Sequence, residues 1–289
     1  MEHCSVLAAA RDESMVGTAF TERGLLLVEQ PGAWGRQGLA DSDLDHAVAV
    51  ELQRRADAAD LRLLAVRRPD GANREAIAGG RSWAVRPAGS TLLSWGRFGA
   101  EADLLDVPLD GSAGAPAEEP TYLVCTHAKR DVCCALFARP VAAALAALRP
   151  VHVWGCSHTG GSRFAPVVVA VPARGETVVY GRVGTDAVAD LVAATEAGRV
   201  LPDLLRGVAG HPAYVQAALA HALGDHPVPA AWTVDGVEPV AAGEWRVTLA
   251  GPSPVTLEVR AHTGLEPMVS CGKPEPSEQT HYAVSTASR

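Results

Sequence analysis

Three soft side chains in the middle of the chain have the types and spacing of metal ligands. Cys125 and Cys134 are separated by eight residues, and His158 follows in a His-Thr-Gly-Gly segment. Thiolate and imidazole groups suit zinc and iron–sulfur centres better than they suit magnesium or calcium. A single buried cysteine is ordinarily a small core residue. The combination of the three therefore carries the prediction of a metal site.

The elements around these residues are predicted to bring them together. Apolar and Ala/Leu-rich runs predict a strand, a helix and a second strand, at 122–126, 133–148 and 151–155. Side chains at the carboxyl ends of neighbouring parallel strands meet at the same edge of a sheet. We therefore expect Cys125 and His158 to lie close together, with Cys134 near the start of the connecting helix.

The same residues resemble the motif of the sucrase/ferredoxin-like family, which is Cys-x8-Cys followed by His-x-Gly-Gly-His. In this chain the motif reads Cys125-x8-Cys134 and then His158-Thr-Gly-Gly-Ser162. The segments around Gly17 and at 26–35 are also similar to the amino-terminal half of that family. Its members are thioredoxin-like ferredoxins, and the eukaryotic ones hold a [2Fe-2S] cluster with two cysteines and two histidines.

The resemblance implies a [2Fe-2S] cluster held by Cys125, Cys134 and His158, but Ser162 replaces the second histidine. A neutral hydroxyl is a poor iron ligand beside thiolates, so another residue is needed. Cys271, in the turn-rich segment Val-Ser-Cys-Gly-Lys-Pro, is the first candidate. Bacterial members of the family often carry a cysteine in a similar carboxy-terminal place. The further candidates, in order, are Cys156, Cys133 and Ser162.

The element order predicts an α/β protein with two thioredoxin-like halves, each a mixed sheet with flanking helices. A strand, loop, helix, strand and hairpin follow one another at 24–96 and again at 121–183. The predicted segments are an amino-terminal thioredoxin-like half without ligands (1–110), a linker (111–120), a thioredoxin-like ferredoxin domain (121–230) and a small antiparallel β-rich segment (231–289).

Three local features complete the predicted fold. Ser42 is expected to cap a helix at 43–60, because serine is a favoured cap before an acidic first turn. Cys4 is interpreted as a bystander near the terminus. The polar tail at 272–289 is expected to be loosely held, apart from a strand near Tyr282.

Composition narrows the class of protein. The chain has 289 residues, 48% of them hydrophobic and 20% charged, which is typical of a globular protein with room for two modest domains. A net charge of −8, without a lysine/arginine cluster, argues against nucleic-acid binding. Neither a signal peptide nor a membrane-spanning run is recognised. We expect a cytoplasmic protein whose six cysteines are too sparse for a disulfide scaffold.

These features favour an electron carrier over a substrate-converting enzyme. The first hypothesis is one-electron transfer or redox sensing with a redox partner protein, either a reductase or an electron acceptor. A thiol/disulfide oxidoreductase is an alternative, because Cys133 and Cys134 are adjacent near a helix start, although no Cys-x-x-Cys is present. Structural zinc, held by the same ligands without redox activity, is the other alternative.

Overall fold

The structure is a computed structural model that describes residues 2–69 and 80–287. Six helices lie in this part of the chain: α1 (Cys4–Ala10), α2 (His46–Ala58), α3 (Cys133–Leu136), α4 (Ala138–Leu148), α5 (Val188–Glu196) and α6 (Ala213–Asp225). A mixed sheet contains ten strands: β1 (Gly24–Glu29), β2 (Leu61–Arg67), β3 (Arg81–Arg86), β4 (Ser94–Phe98), β5 (Ala115–Pro116), β6 (Thr121–Cys125), β7 (Val153–Cys156), β8 (Val168–Val171), β9 (Val178–Tyr180) and β10 (Leu205–Val208). A separate antiparallel sheet contains four: β11 (Thr233–Ala241), β12 (Glu244–Ala250), β13 (Val255–Glu266) and β14 (Ser277–Thr286). The predicted α/β class is confirmed.

The large sheet repeats one pairing pattern. Strand β1 pairs parallel with β2 and antiparallel with β3, which pairs with β4. In the same way β6 pairs parallel with β7 and antiparallel with β8, which pairs with β9. The two groups join where β2 and β7 run antiparallel, with Val66 opposite Cys156. The predicted repeat in element order is therefore confirmed, and both copies belong to one continuous sheet.

Helix α2 forms for the reasons that its sequence suggests, but its cap is a different residue. Its buried positions, Val48, Ala49, Leu52 and Ala56, recur at helical spacing and face the core. The Asp45 carboxylate accepts hydrogen bonds from the N–H groups of Ala47 and Val48. The prediction that Ser42 caps this helix is wrong, because the Ser42 hydroxyl instead donates to the Leu39 carbonyl in the preceding turn.

The helix predicted at 133–148 is divided in two at Phe137. Helix α3 ends there and α4 begins at the next residue. Pro140 consequently lies in the first turn of α4, where its missing N–H removes no helical hydrogen bond. The short α3 is thereby set apart from α4, and it carries Cys133 and Cys134 as its first two residues.

The carboxy-terminal tail is better ordered than its polar sequence suggests. Strand β14 pairs with β13 without interruption from Leu257 opposite Thr286 to Glu266 opposite Ser277. The prediction of a loosely held tail is therefore wrong for the described residues. Helix α6 packs against this small sheet, and the rings of Tyr214 and Trp245 stack with centroids 4.3 Å apart.

Residues 111–120, predicted as a linker, contain β5, which extends the edge of the large sheet beside β4. The boundaries of the four predicted segments stay predictions. Within the described ranges, no helix is long and apolar enough to cross a membrane.

Candidate metal centre

The structure brings Cys125, Cys134 and His158 together at the carboxyl ends of β6 and β7. The Nδ1 atom of His158 lies 3.9 Å from the Cys125 Sγ and 3.8 Å from the Cys134 Sγ. All three ligand atoms lie within 4.8 Å of one another. The carboxyl ends of the two parallel strands therefore bring the three residues together, as expected. The residues form a group that could hold a metal.

The centre is closed on its sulfur side and reachable on its imidazole side. Cys125 and Cys134 are each 1% exposed. His158 is only half-buried and lines a cleft of about 260 Å³, together with Arg36 and Arg130. Water is therefore kept from the sulfurs, while the imidazole edge faces the surface.

The two sulfurs differ in acidity. The pKa of the Cys125 thiol lies well below its ordinary value, because the Cys134 thiol donates a hydrogen bond to it and because His158 stabilises the thiolate. The pKa of Cys134 is raised, since its proton is held by Cys125 and since burial disfavours a second charge. Cys125 is therefore the more acidic thiol of the two, and a soft cation that binds both sulfurs would displace the proton of Cys134.

Ser162, which replaces the second histidine of the motif, lies at the centre. It is buried, and its side chain opposes the rise in the pKa of the Cys134 thiol. Among the four candidates for a further ligand, Ser162 therefore acts directly on a predicted ligand.

Cys271, the first candidate for that ligand, lies in a different group. Its Sγ is 3.4 Å from the Cys133 Sγ, and these two residues join Cys4 and Asp131. Cys133 and Cys134 are adjacent in sequence, but their side chains thus belong to two different groups. The interpretation of Cys4 as a bystander is wrong, because its thiol is fully buried in this second group.

Cys156, the second candidate, is also buried but belongs to neither group. It lies opposite Cys125 on the neighbouring parallel strand. Burial raises the pKa of its thiol well above the ordinary value. Cys156 is therefore a core residue beside the centre.

His127 positions the ligand loop and was not singled out from the sequence. Its Nδ1 accepts a hydrogen bond from the His158 N–H at 3.1 Å, so its Nε2 carries the proton and donates to the Gly35 carbonyl at 2.6 Å. Burial lowers the pKa of His127, which favours this neutral form. The ring therefore ties His158 to the loop that follows β1.

Arg206 is a buried cation that the sequence did not reveal. The pairing of β10 with β9 shifts register between Leu205 and Gly207, so Arg206 is the extra residue of a bulge. Bulges commonly redirect a side chain. Its guanidinium donates to the Gly160 carbonyl at 3.1 Å and to the Thr18 hydroxyl at 3.0 Å.

The charge of Arg206 acts on the two sulfurs. Burial, and secondarily the charge of Arg163, lower the pKa of Arg206 to about 9, whereas Cys125 and Cys134 oppose that change. The group therefore remains a cation at neutral pH. A fully buried positive charge beside two thiols stabilises negative charge at the centre.

Alanine at Gly161 is expected to damage the centre more than alanine at Gly160. Both glycines have positive φ, +69° and +87°, so each substitution costs roughly 1–2 kcal/mol of backbone strain. A Cβ on Gly161 would lie 2.5 Å from Nη2 of Arg206, whereas one on Gly160 meets nothing within 4 Å. Denaturant unfolding and metal content of both variants check this. Equal losses in the two would contradict the close approach to Arg206.

Fold and site together define an α/β protein with a candidate Cys/His metal centre. The family model described as sucrase/ferredoxin-like matches residues 26–207. This range exceeds half of the chain, and the chain therefore belongs to the sucrase/ferredoxin-like family. The match includes the centre but not Cys4 or Cys271. No curated protein and no solved structure matches the chain.

Proposed function

We propose that the chain is an iron–sulfur protein for one-electron transfer or redox sensing. Its [2Fe-2S] cluster would be held by Cys125, Cys134 and His158. Since Cys271 lies in the other group, Ser162 would take the remaining position, and it would have to lose its proton because a neutral hydroxyl is a poor iron ligand. The observation that carries the proposal is the approach of one imidazole nitrogen to two buried sulfurs, at 3.9 Å and 3.8 Å. Membership of a family with ferredoxin in its name supports it.

The donor set fits this cofactor. Mixed thiolate and imidazole ligation is established for [2Fe-2S] centres in general, and it raises the reduction potential relative to four thiolates. Thr159 adds a second indication. Its N–H faces the Cys125 sulfur, and its buried hydroxyl oxygen has no hydrogen-bond partner among the described residues. That hydroxyl would thus be available to donate a hydrogen bond to a bound cluster.

The chain's own residues would set the conditions for electron transfer. When bound, the cluster supplies a reversible one-electron change. Cys125 and Cys134 keep water away, and Arg206 balances the negative charge. His158 offers the route to the surface, and Arg36 and Arg130 beside it suit an acidic face on a redox partner protein. A cytoplasmic location is part of the proposal. All six cysteines are free thiols, and the cytoplasm is a reducing compartment in which thiols stay reduced.

The sheet order supports the thioredoxin-like part of the proposal. Each half combines a βαβ unit with a hairpin, in the spatial orders β2-β1-β3-β4 and β7-β6-β8-β9. In both, the hairpin strand next to the βαβ unit runs antiparallel to it. Only the second half carries the predicted ligands. The first half would therefore serve as a scaffold without a cofactor.

Structural zinc is a second candidate function. Its supporting observation is the compactness of the group, since ligand atoms within 4.8 Å of one another also suit a single tetrahedral ion. Such a centre would be colourless and would not change its redox state.

Anaerobic purification is expected to give a brown protein with about two irons and two sulfides per chain. The visible spectrum should be recorded with iron, sulfide and zinc quantified on the same sample. The colour should bleach on reduction with dithionite and return in air. A colourless protein with zinc at this centre would instead favour the structural alternative. A protein without metal would bring thiol chemistry to the front.

A further inference from the structure

A second group of metal-binding side chains lies outside the predicted centre. It consists of Cys4, Cys133, Cys271 and Asp131, whose ligand atoms all lie within 4.8 Å of one another. Three distant parts of the chain supply it. Cys4 begins α1, Asp131 and Cys133 lie at the start of α3, and Cys271 lies in the connection between β13 and β14. Two of the four residues fall outside the part matched to the family.

The sulfurs have the spacing of ligands to one ion. The Cys133 Sγ lies 3.6 Å from the Cys4 Sγ and 3.4 Å from the Cys271 Sγ. In a tetrahedral zinc site with Zn–S distances of about 2.3 Å, the sulfurs lie about 3.8 Å apart. Small shifts of a few tenths of an ångström would therefore complete the site.

Asp131 provides an oxygen in the remaining corner. The carboxylate is 3% exposed. Its Oδ2 accepts from the Ser270 hydroxyl at 2.7 Å and from the Cys271 N–H at 2.8 Å, and its Oδ1 accepts from the Cys133 N–H at 2.9 Å. The Cys4 thiol donates to both oxygens, at 3.7 Å to Oδ2 and at 3.9 Å to Oδ1. Loss of that thiol proton on metal binding would leave one lone pair of Oδ1 for the cation.

The backbone around the group is shaped for thiolates. The Cys4 N–H donates to the Cys271 Sγ at 3.4 Å. Cys271 lies at the corner of a tight turn. The turn is closed by a hydrogen bond of 3.0 Å that the Lys273 N–H donates to the Ser270 carbonyl. Cys4 and Cys133 are fully buried and Cys271 is half-buried, so an ion can enter from the side of the turn.

We propose that Cys4, Cys133, Cys271 and Asp131 form a structural site for a zinc ion. Three thiolates and one carboxylate complete a tetrahedral shell, with no position left for a substrate. The ion would fasten α1 and the β13–β14 connection to the start of α3. Since Cys134 is the next residue after Cys133, the zinc site would also hold the ligand-bearing helix in place.

The intact chain is expected to contain one zinc per chain in addition to any metal at the Cys125 centre. Cys4→Ser and Cys271→Ser should each lower zinc affinity by at least about 100-fold, measured by competition with a chromogenic chelator. Cys156→Ala is the matched control, because it removes a buried thiol outside both groups. It should keep the zinc.

A background that lacks the first centre separates the two proposals. The Cys125→Ser/Cys134→Ser chain should still bind one zinc, and Co²⁺ in its place should give the absorption of a tetrahedral thiolate site. If that chain and the intact chain both take up no metal at this group, the zinc proposal is wrong. Unchanged affinity in Cys4→Ser and Cys271→Ser would equally overturn it. Neither result bears on the iron content of the first centre.

Discussion

Serine in place of Cys134 is expected to empty the candidate metal centre of iron, whereas serine in place of Cys271 should leave the iron bound. The Cys134 sulfur lies 3.8 Å from the His158 nitrogen, while the Cys271 sulfur contacts Cys133 in the other group. Removing a thiolate ligand should lower the iron content per chain at least about tenfold. Mutation of a residue that only hydrogen-bonds to a metal ligand already lowers metal affinity by about 10–100-fold. Iron analysis and visible absorbance of anaerobically purified variants measure this.

Two controls make the comparison specific. Cys156→Ala removes a buried thiol beside Cys125 and should keep the iron. Cys4→Ser disturbs the second group in the same way as Cys271→Ser. If Cys271→Ser loses iron while Cys4→Ser retains it, Cys271 is a ligand of the centre and Ser162 is not.

Convergence of the ligands at the centre could be predicted because it depends on local patterns and one rule of sheet topology. The apolar runs that became β6 and β7 each end at a ligand segment, and parallel strands place such ends together. A helix between two strands leaves little freedom for other arrangements. Cys125 and His158 are consequently neighbours in the fold, as their sequence context indicated.

The second group could not be predicted in this way. Its sulfur contacts join residues that are 129 and 138 positions apart, and they depend on where both ends of the chain are packed. Neither end carries a strong hydrophobic pattern. Strand β14 has no fully buried position, because its inward side chains, such as Tyr282 and Val284, are only half-buried against the core.

Arg206 was missed for a related reason. The register shift that turns it toward the centre arises from a bulge, and a bulge at this strand has no clear signature in the sequence. Arginine is also rarely buried unless its guanidinium has hydrogen-bond or ion-pair partners, so a sequence gives no reason to expect a buried one. Here its partners are carbonyl and hydroxyl groups of the amino-terminal segment and the glycine turn, which lie far away along the chain.

The Arg206→Met variant is expected to lower the midpoint potential of the centre by roughly 50–100 mV, since a one-electron change of 1.4 kcal/mol corresponds to about 60 mV. Loss of a buried cation disfavours the more negative, reduced state. The fall would be measured by redox titration followed in the visible spectrum. Stability should also fall, by about 2–5 kcal/mol, because the Gly160 carbonyl and the Thr18 oxygens lose their donor.

Arg182→Met separates the charge effect from the loss of packing. Both arginines lie over the ring of Phe164, at 5.4 Å for Arg206 and 5.6 Å for Arg182. Only for Arg206 do the Cys125 and Cys134 sulfurs contribute to the shift of its pKa. Arg182→Met should therefore lose stability without a comparable change in potential. Arg206→Lys, which keeps the charge but not the planar fork, should recover most of the potential and only part of the stability. Equal potentials in all three variants would mean that Arg206 supports the glycine turn and has no electrostatic role at the centre.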